Sequence, residues 1–299
     1  MKIGYACINT ELQKAGIKTT RSLMTKTLEK KGWIYYNELV LSNVRDLNKI
    51  LEWNEKNGIR AFRMSSDLFP LKHLVGDMQQ LKYWSLIHQE LIKAGNFCKK
   101  YGHRISFHAS AYCIPASQNH VVVKNSLQEM DFLATILDFM ELEASPYHKV
   151  NVHLGTFKPS KAEAAKRFIK AFDSLRSNTK RRITIENDDS INGFSVDDLS
   201  KLVYPYTNTP IVLDYFHHGL NTGGLTLDEV IKKSTDTWPA GMRPMTHHSS
   251  SAKLNEDSSK MAKAHADYIY CKIPNDRADT ILEAKAKEKA VLKYRFLNS

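Results

Sequence analysis

A (β/α)8 barrel is the α/β fold that this sequence predicts, on three observations. Short apolar runs alternate with amphipathic stretches along the whole of residues 1–299. Eight such runs can be counted, the strand number of the TIM-type closed barrel. No Gly/Ser linker, repeat or low-complexity tract separates them, so a single domain is expected. The competing architecture, a doubly wound open sheet, would place a Gly-rich phosphate loop after the first strand, and none is present.

In chain order the expected strands are KIGYAC (2–7), IRAFRMS (59–65), RISFHA (104–109), KVNVHLG (149–155), RITIEND (182–188), PIVLDYFH (210–217), MRPMTHHS (242–249) and DTILEAK (279–285). The seventh is the weakest, blunted by its proline and polar residues. Between the strands, Leu41, Val44, Leu47, Ile50 and Leu51 share one helical face, and Gly58 marks a stop. Residues 79–101 and 121–143 follow the same period. SKAE (160–163) and TLDE (226–229) read as capping boxes that start helices. A basic loop is expected between the first strand and first helix, about residues 10–36, and a solvated tail at about 288–299.

Composition narrows the function. With 42% hydrophobic and 25% charged residues the chain reads as globular, and its longest apolar stretch, FLATILDFM, is too short for a bilayer. No membrane partner is expected. The four scattered cysteines form no CxxC pair, which argues against a zinc knuckle or disulfide framework. Together with the lack of an apolar leader at the start, they suit a reducing cytoplasm, or the nucleoid of a prokaryote. Lys and Arg number 43 against 32 Asp and Glu, for a net charge of +11. The pI near 9.3 is that of a surface attracting polyanions.

Barrel chemistry sits at the C-terminal ends of strands. Read in order, those ends offer Tyr5 and Asn9, then Arg63, His108, His153, Glu186, Asp214 with His217, His247 with His248, and Glu283; His265 follows the seventh strand. Each alone is an ordinary polar residue. Together they would crowd carboxylates and imidazoles into one mouth, which is unfavourable unless a cation compensates. Imidazole plus carboxylate without thiolate suits zinc, manganese or iron, and there are more ligands than one ion needs. Such a cluster is equipped to hydrolyse phosphodiesters, and the basic surface would hold the polymer over it.

These residues resemble the ultraviolet damage endonucleases. The similarity runs from KIGYACIN at the start to ILEAKAKEKA near the end, through FRMSSDLFP (62–70), ISFHASAY (105–112), VHLG (152–155), IENDD (185–189), VLDYFHHGLN (212–221) and AHADYI (264–269). The resemblance implies a barrel with two or three divalent ions, manganese favoured and zinc the alternative. It also implies a monomer that cuts damaged double-stranded DNA immediately 5′ to cyclobutane pyrimidine dimers and 6–4 photoproducts, with abasic sites as further substrates. On this resemblance His108, His153 and Glu186 hold one ion. Glu186 bridges to a second held with Asp214, His247 and Glu283, which carry the catalysis, and His217 and His265 hold a third. His73 matches a further family histidine out of register by one residue. Tyr5 and Asn9 match positions lining the lesion pocket.

Two positions depart from the family. Where a Gln-Tyr pair commonly wedges into the duplex, this chain has Ala111 and Tyr112, so only Tyr112 can stack. Met245 stands where some relatives have a lysine that can be carboxylated, which implies altered tuning. Lys158, in the loop after the fourth strand, is a candidate phosphate contact. The alternatives to an endonuclease are a metal-dependent sugar isomerase or epimerase, and a lesion-binding protein of weak catalysis. The first needs no basic surface.

Overall fold

A computed structural model describes residues 1–298. All eight expected strands form, each shorter than its apolar run. They are β1 (Ile3–Ala6), β2 (Ala61–Met64), β3 (Arg104–His108), β4 (Val150–Val152), β5 (Ile183–Glu186), β6 (Ile211–Asp214), β7 (Met245–His248) and β8 (Asp279–Leu282). They pair in parallel in sequence order, and β8 returns to β1, closing the barrel. Between them run α1 (Thr10–Lys14), α2 (Thr25–Lys56), α3 (Trp84–Tyr101), α4 (His120–Phe139), α5 (Lys161–Asp173), α6 (Ser177–Arg182), α7 (Val196–Leu202), α8 (Tyr204–Thr207), α9 (Tyr215–Leu220), α10 (Leu227–Thr235) and α11 (Ala252–Asn255). After β8 comes α12 (Glu288–Leu297). No helix among the described residues is long and apolar enough to cross a membrane.

Strand alternation sorts the apolar residues into two cores. The larger lies between strands and helices, with Phe62, Phe107, Ile183 and Leu213 facing Leu47, Leu91, Leu133 and Phe168. The smaller fills the barrel itself: Ala6, Ala61, Val212, Met245 and Ile281, with Trp238. Gly4 is required here, because a Cβ on it would meet the Ala61 carbonyl oxygen at 1.8 Å.

Local chemistry explains where the elements differ from expectation. α3 begins only at Trp84, because residues 78–80 turn in a short 3-10 helix before an extended Leu81. α4 stops at Phe139, just before left-handed Glu141. The capping box at Thr226 forms fully. At Ser160 only the hydroxyl half forms, since Glu163 pairs with Lys166 instead. The expected basic loop over 10–36 is partly helical: α1 lies inside it, α2 starts at Thr25, and Arg21 anchors the link to Asp46 at 2.6 Å. The expected C-terminal tail is a packed helix. Its buried Glu288 accepts hydrogen bonds from the Thr10 and Glu11 amides, tying α12 to the start of α1.

The candidate metal centre

Adjacent strand ends stand level where the ligand set was expected: His108 pairs with Asn151, Glu186 with Val212, and Asp214 with His247. Two groups form there, each with donor atoms close enough to share one ion. The first is His108, His153 and Glu186; the second is Glu186, Asp214, His247 and Glu283. Glu186, nearly fully buried, is common to both.

Glu186 is surrounded by imidazoles. Its oxygens lie 3.0 Å from His247 Nδ1, 3.3 Å from His108 Nε2, 3.5 Å from His217 Nδ1 and 3.8 Å from His153 Nε2. The Asn151 amide also donates to it. Burial alone would raise this carboxyl's pKa, but His247 and His153 outweigh burial and hold it well below the usual range. Glu283 is likewise lowered against burial by Arg63 and His247. His153 is pushed the other way: burial disfavours its charge, yet Glu186 and Asp188 raise it to about 9.

The second nitrogen of each ring is fixed by what it meets. Nδ1 of His108 faces the Ala109 carbonyl at 2.8 Å, that of His217 the Asn187 carbonyl at 2.9 Å, and that of His265 the Glu283 carbonyl at 2.9 Å. A carbonyl only accepts, so each Nδ1 carries the proton and leaves the Nε2 lone pair free, the arrangement a metal-ligating histidine needs. His153 Nδ1 is held by Asp188 at 2.9 Å. The donor set fits a cation on a further ground. Asp214 Oδ2 and both ring nitrogens of His247 are buried without hydrogen-bond partners, which is unfavourable unless a ligand satisfies them.

Asp214 serves two purposes. Its Oδ1 accepts from the His217 amide at 2.9 Å, capping α9, so the strand-to-helix turn that ends β6 aims carboxylate and imidazole at the same mouth. Asn187 clamps it, exchanging two hydrogen bonds with the Asp214 backbone. His265 reaches the rim through a bridge between Ser251 and His265, because the β7–β8 connection is irregular apart from α11. The rings of His217 and His265 lie 6.4 Å apart, outside both groups above.

Several expected residues sit elsewhere. Tyr5 points outward and is fully buried, its hydroxyl donating to Asn54 of α2 at 2.7 Å. Asn9 is buried too, donating to Tyr5 and capping α1. Neither lines an open pocket: both lock β1 to the helices. His73 is exposed and borders a hollow of about 630 Å³ beside Tyr112, away from both groups. Lys158 is exposed. Met245 lies in the barrel's apolar interior, two residues below His247. Ala111 borders the cavity of about 430 Å³ that contains His108, His153, Glu186, His217 and Glu283, while Tyr112 projects at 87% exposure. Glu129 pins the base of their loop through Ser110.

Sequence reading missed Asn151 and Asp188 as parts of the site, and it gave Arg63, named at the end of β2, no role. Asn151 shares His153's alternation in β4, a signal that was available. Asp188 lies in the IENDD stretch, but only the folded loop turns it towards His153.

Comparison with known proteins places this geometry in context. The family model described as "UV-endonuclease UvdE" matches residues 1–298. The UV-damage endonuclease of Schizosaccharomyces pombe is 33% identical over 97% of this chain, which spans about half (49%) of that relative's length. A putative UV-damage endonuclease of Acanthamoeba polyphaga mimivirus is 32% identical, over 99% of this chain and 91% of its own. The crystal structure of SacUVDE superposes with a TM-score of 0.86 at 30% identity, covering 100% of this chain and 99% of that one. Endonuclease IV from Thermus thermophilus shares the fold alone, with a TM-score of 0.59 at 13% identity over the whole of both chains. This chain belongs to the UV-endonuclease UvdE family.

Proposed function

We propose that this protein is a metal-dependent DNA-repair endonuclease that hydrolyses the phosphodiester immediately 5′ to ultraviolet photolesions. Cyclobutane dimers and 6–4 photoproducts are the proposed substrates, with abasic sites as further ones. The observation that carries the reading is the convergence on Glu186, at the end of β5, of residues from the ends of five other strands, β3, β4, β6, β7 and β8, in a chain of this family. His108, His153 and Glu186 would hold one divalent ion, and Glu186, Asp214, His247 and Glu283 a second. The free Nε2 atoms of His217 and His265 supply ligands for a third. Oxygen and imidazole donors suit manganese, with zinc the alternative. When bound, such ions supply hydroxide near neutrality and neutralise charge on phosphate and leaving oxygen.

The protein's own residues do the rest. Glu186 and Glu283 stay ionised despite burial, so they are ready to accept cations at neutral pH. The +11 net charge attracts the duplex, Lys158 is a candidate phosphate contact, and Tyr112 is exposed to stack in the gap left by displaced bases. With Ala111 beside it, half the wedge is missing, so lesion preference should differ from that of relatives carrying glutamine there. The decisive assay is nicking of a duplex with one site-specific dimer, with manganese and with chelator, alongside an elemental count of bound metal. Metal-loaded, folded protein that leaves the strand intact would overturn the reading.

A further inference from the structure

Arg63 is the fixed positive charge in the cavity of about 430 Å³ at the candidate metal centre. It comes from β2, and its Nη1 pairs with Glu283. Its situation differs from that of the chain's other buried guanidinium groups. Arg104 and Arg182 are each held by several acceptors, including backbone carbonyls, although Arg104 Nη2 is likewise buried without a partner. The Arg63 side chain has Glu283 as its one hydrogen-bond partner among the described residues, and its buried Nε has none. A guanidinium carries five donors in a planar fork. Most of the fork is therefore uncommitted, in a space large enough to admit a phosphate.

The pairing with Glu283 is also contested. The Oε1 that Arg63 grips lies 3.2 Å from His247 Nδ1, and Glu283 belongs to the second group of candidate ligands. A cation held by Glu283 would weaken the carboxylate's hold on the guanidinium.

We infer that Arg63 is a catalytic residue that binds a non-bridging oxygen of the phosphodiester under attack; this rests on the endonuclease reading above. In that reaction the water oxygen bonds to phosphorus and gives up a proton, the bond from phosphorus to the sugar oxygen breaks, and the departing oxygen takes up a proton. Negative charge grows on the non-bridging oxygens as this happens. A planar fork can direct two hydrogen bonds to the bound oxygen and strengthens its hold as the charge grows, so Arg63 lowers the barrier more than it tightens ground-state binding.

The test compares the parent, Arg63→Met and Arg63→Lys on a single-lesion duplex, with bound metal counted and thermal unfolding recorded for each. In Arg63→Met, kcat should fall about 10²–10³-fold, the scale of losing one preorganised charge donor, with KM and metal content near parental. Arg63→Lys, which keeps the charge without the fork, should fold and hold metal as the parent does yet recover only part of the rate. A phosphorothioate at the scissile phosphate should slow the parent in one stereoisomer and lose that selectivity in Arg63→Met. Parental kcat in either variant overturns the inference, as does a loss of rate that follows loss of bound metal, since Arg63 would then only orient Glu283. A metal-loaded parent that does not nick overturns the endonuclease reading and this inference with it.

Discussion

Both ends of this barrel bury charged groups, and the two ends solve the problem differently. At the floor, where the strands begin, Arg104 donates to the Arg243 and Pro244 carbonyls and to Asp279, its guanidinium 4.8 Å from the Tyr147 ring centroid and 5.3 Å from that of Trp238. Arg182 is gripped by Asp138 and three carbonyls. Each floor guanidinium has one carboxylate, and the remaining contacts are permanent parts of the fold. At the rim, where the strands end, Glu186, Asp214 and Glu283 share one guanidinium and a set of imidazoles whose charge depends on protons, and Asp214 Oδ2 has no partner. Carbonyls and one carboxylate around each guanidinium hold the fold together at the floor, with only Arg104 Nη2 left unpartnered, whereas the rim gathers an excess of acceptors, as a cation site does. The contrast separates structural charge from chemical charge without reference to any relative.

The largest effect should come from the rim. Glu186→Gln removes the residue common to both ligand groups, and we expect nicking to fall by at least about 10²-fold together with bound metal. An elemental count and a nicking assay check both at once, and parental activity would show that the two groups are not the metal centre. The floor should respond in stability. Asp279→Asn leaves Arg104 buried without its counter-charge, and we expect a loss of about 3–5 kcal/mol in urea unfolding. The fraction still folded should nick at the parental rate; a catalytic defect there would break the division between the two ends.

Lys149 lies between the two regions and belongs to neither. Its ammonium is fully buried at the start of β4, without a hydrogen-bond partner. Burial lowers its pKa to about 7, partly offset by Glu186. The unfolded chain takes up this proton as pH falls below about 10.4, whereas the folded chain does so only below about 7. Parental stability should therefore decline as pH drops across that window and then level off. Lys149→Met should be more stable than the parent by on the order of 2–4 kcal/mol at neutral pH, with the gain vanishing above about pH 10.4. Parallel pH–stability curves for the two proteins would show that the ammonium is accommodated after all. The smallest effect concerns the exposed loop. Tyr112→Ala should weaken lesion-DNA binding by ~1–3 kcal/mol, read by titration of a labelled duplex, with unfolding and metal content unchanged.

Much of this was legible in the chain because it is local. The run IVLD in β6 had to be a buried strand, and DYFHH had to follow where the apolar pattern ends, since a carboxylate can cap the helix that the next residues form. The same logic marked His108, His153, Glu186 and Glu283. It failed at Tyr5, which alternation turns outward into the packing against α2, and at Asn9, which caps α1 and donates to Tyr5. It also failed at the C-terminal segment, where a strongly basic stretch conceals the buried face of Glu288, Ala290, Val291 and Tyr294.

The order of the strands, their apolar and polar faces and the types of side chain at their ends follow from the sequence alone, because hydrophobic periodicity and capping act between residues close in the chain. Only the closed barrel decided that Glu186 meets His247 and His108, that Asp188 rather than a nearer acid turns His153, and that Arg63 and Glu283, 220 positions apart, face one another. Those encounters depend on strand register and on a low-dielectric mouth where a misplaced charge is penalised. Neither is written in any stretch of the chain that can be read by itself.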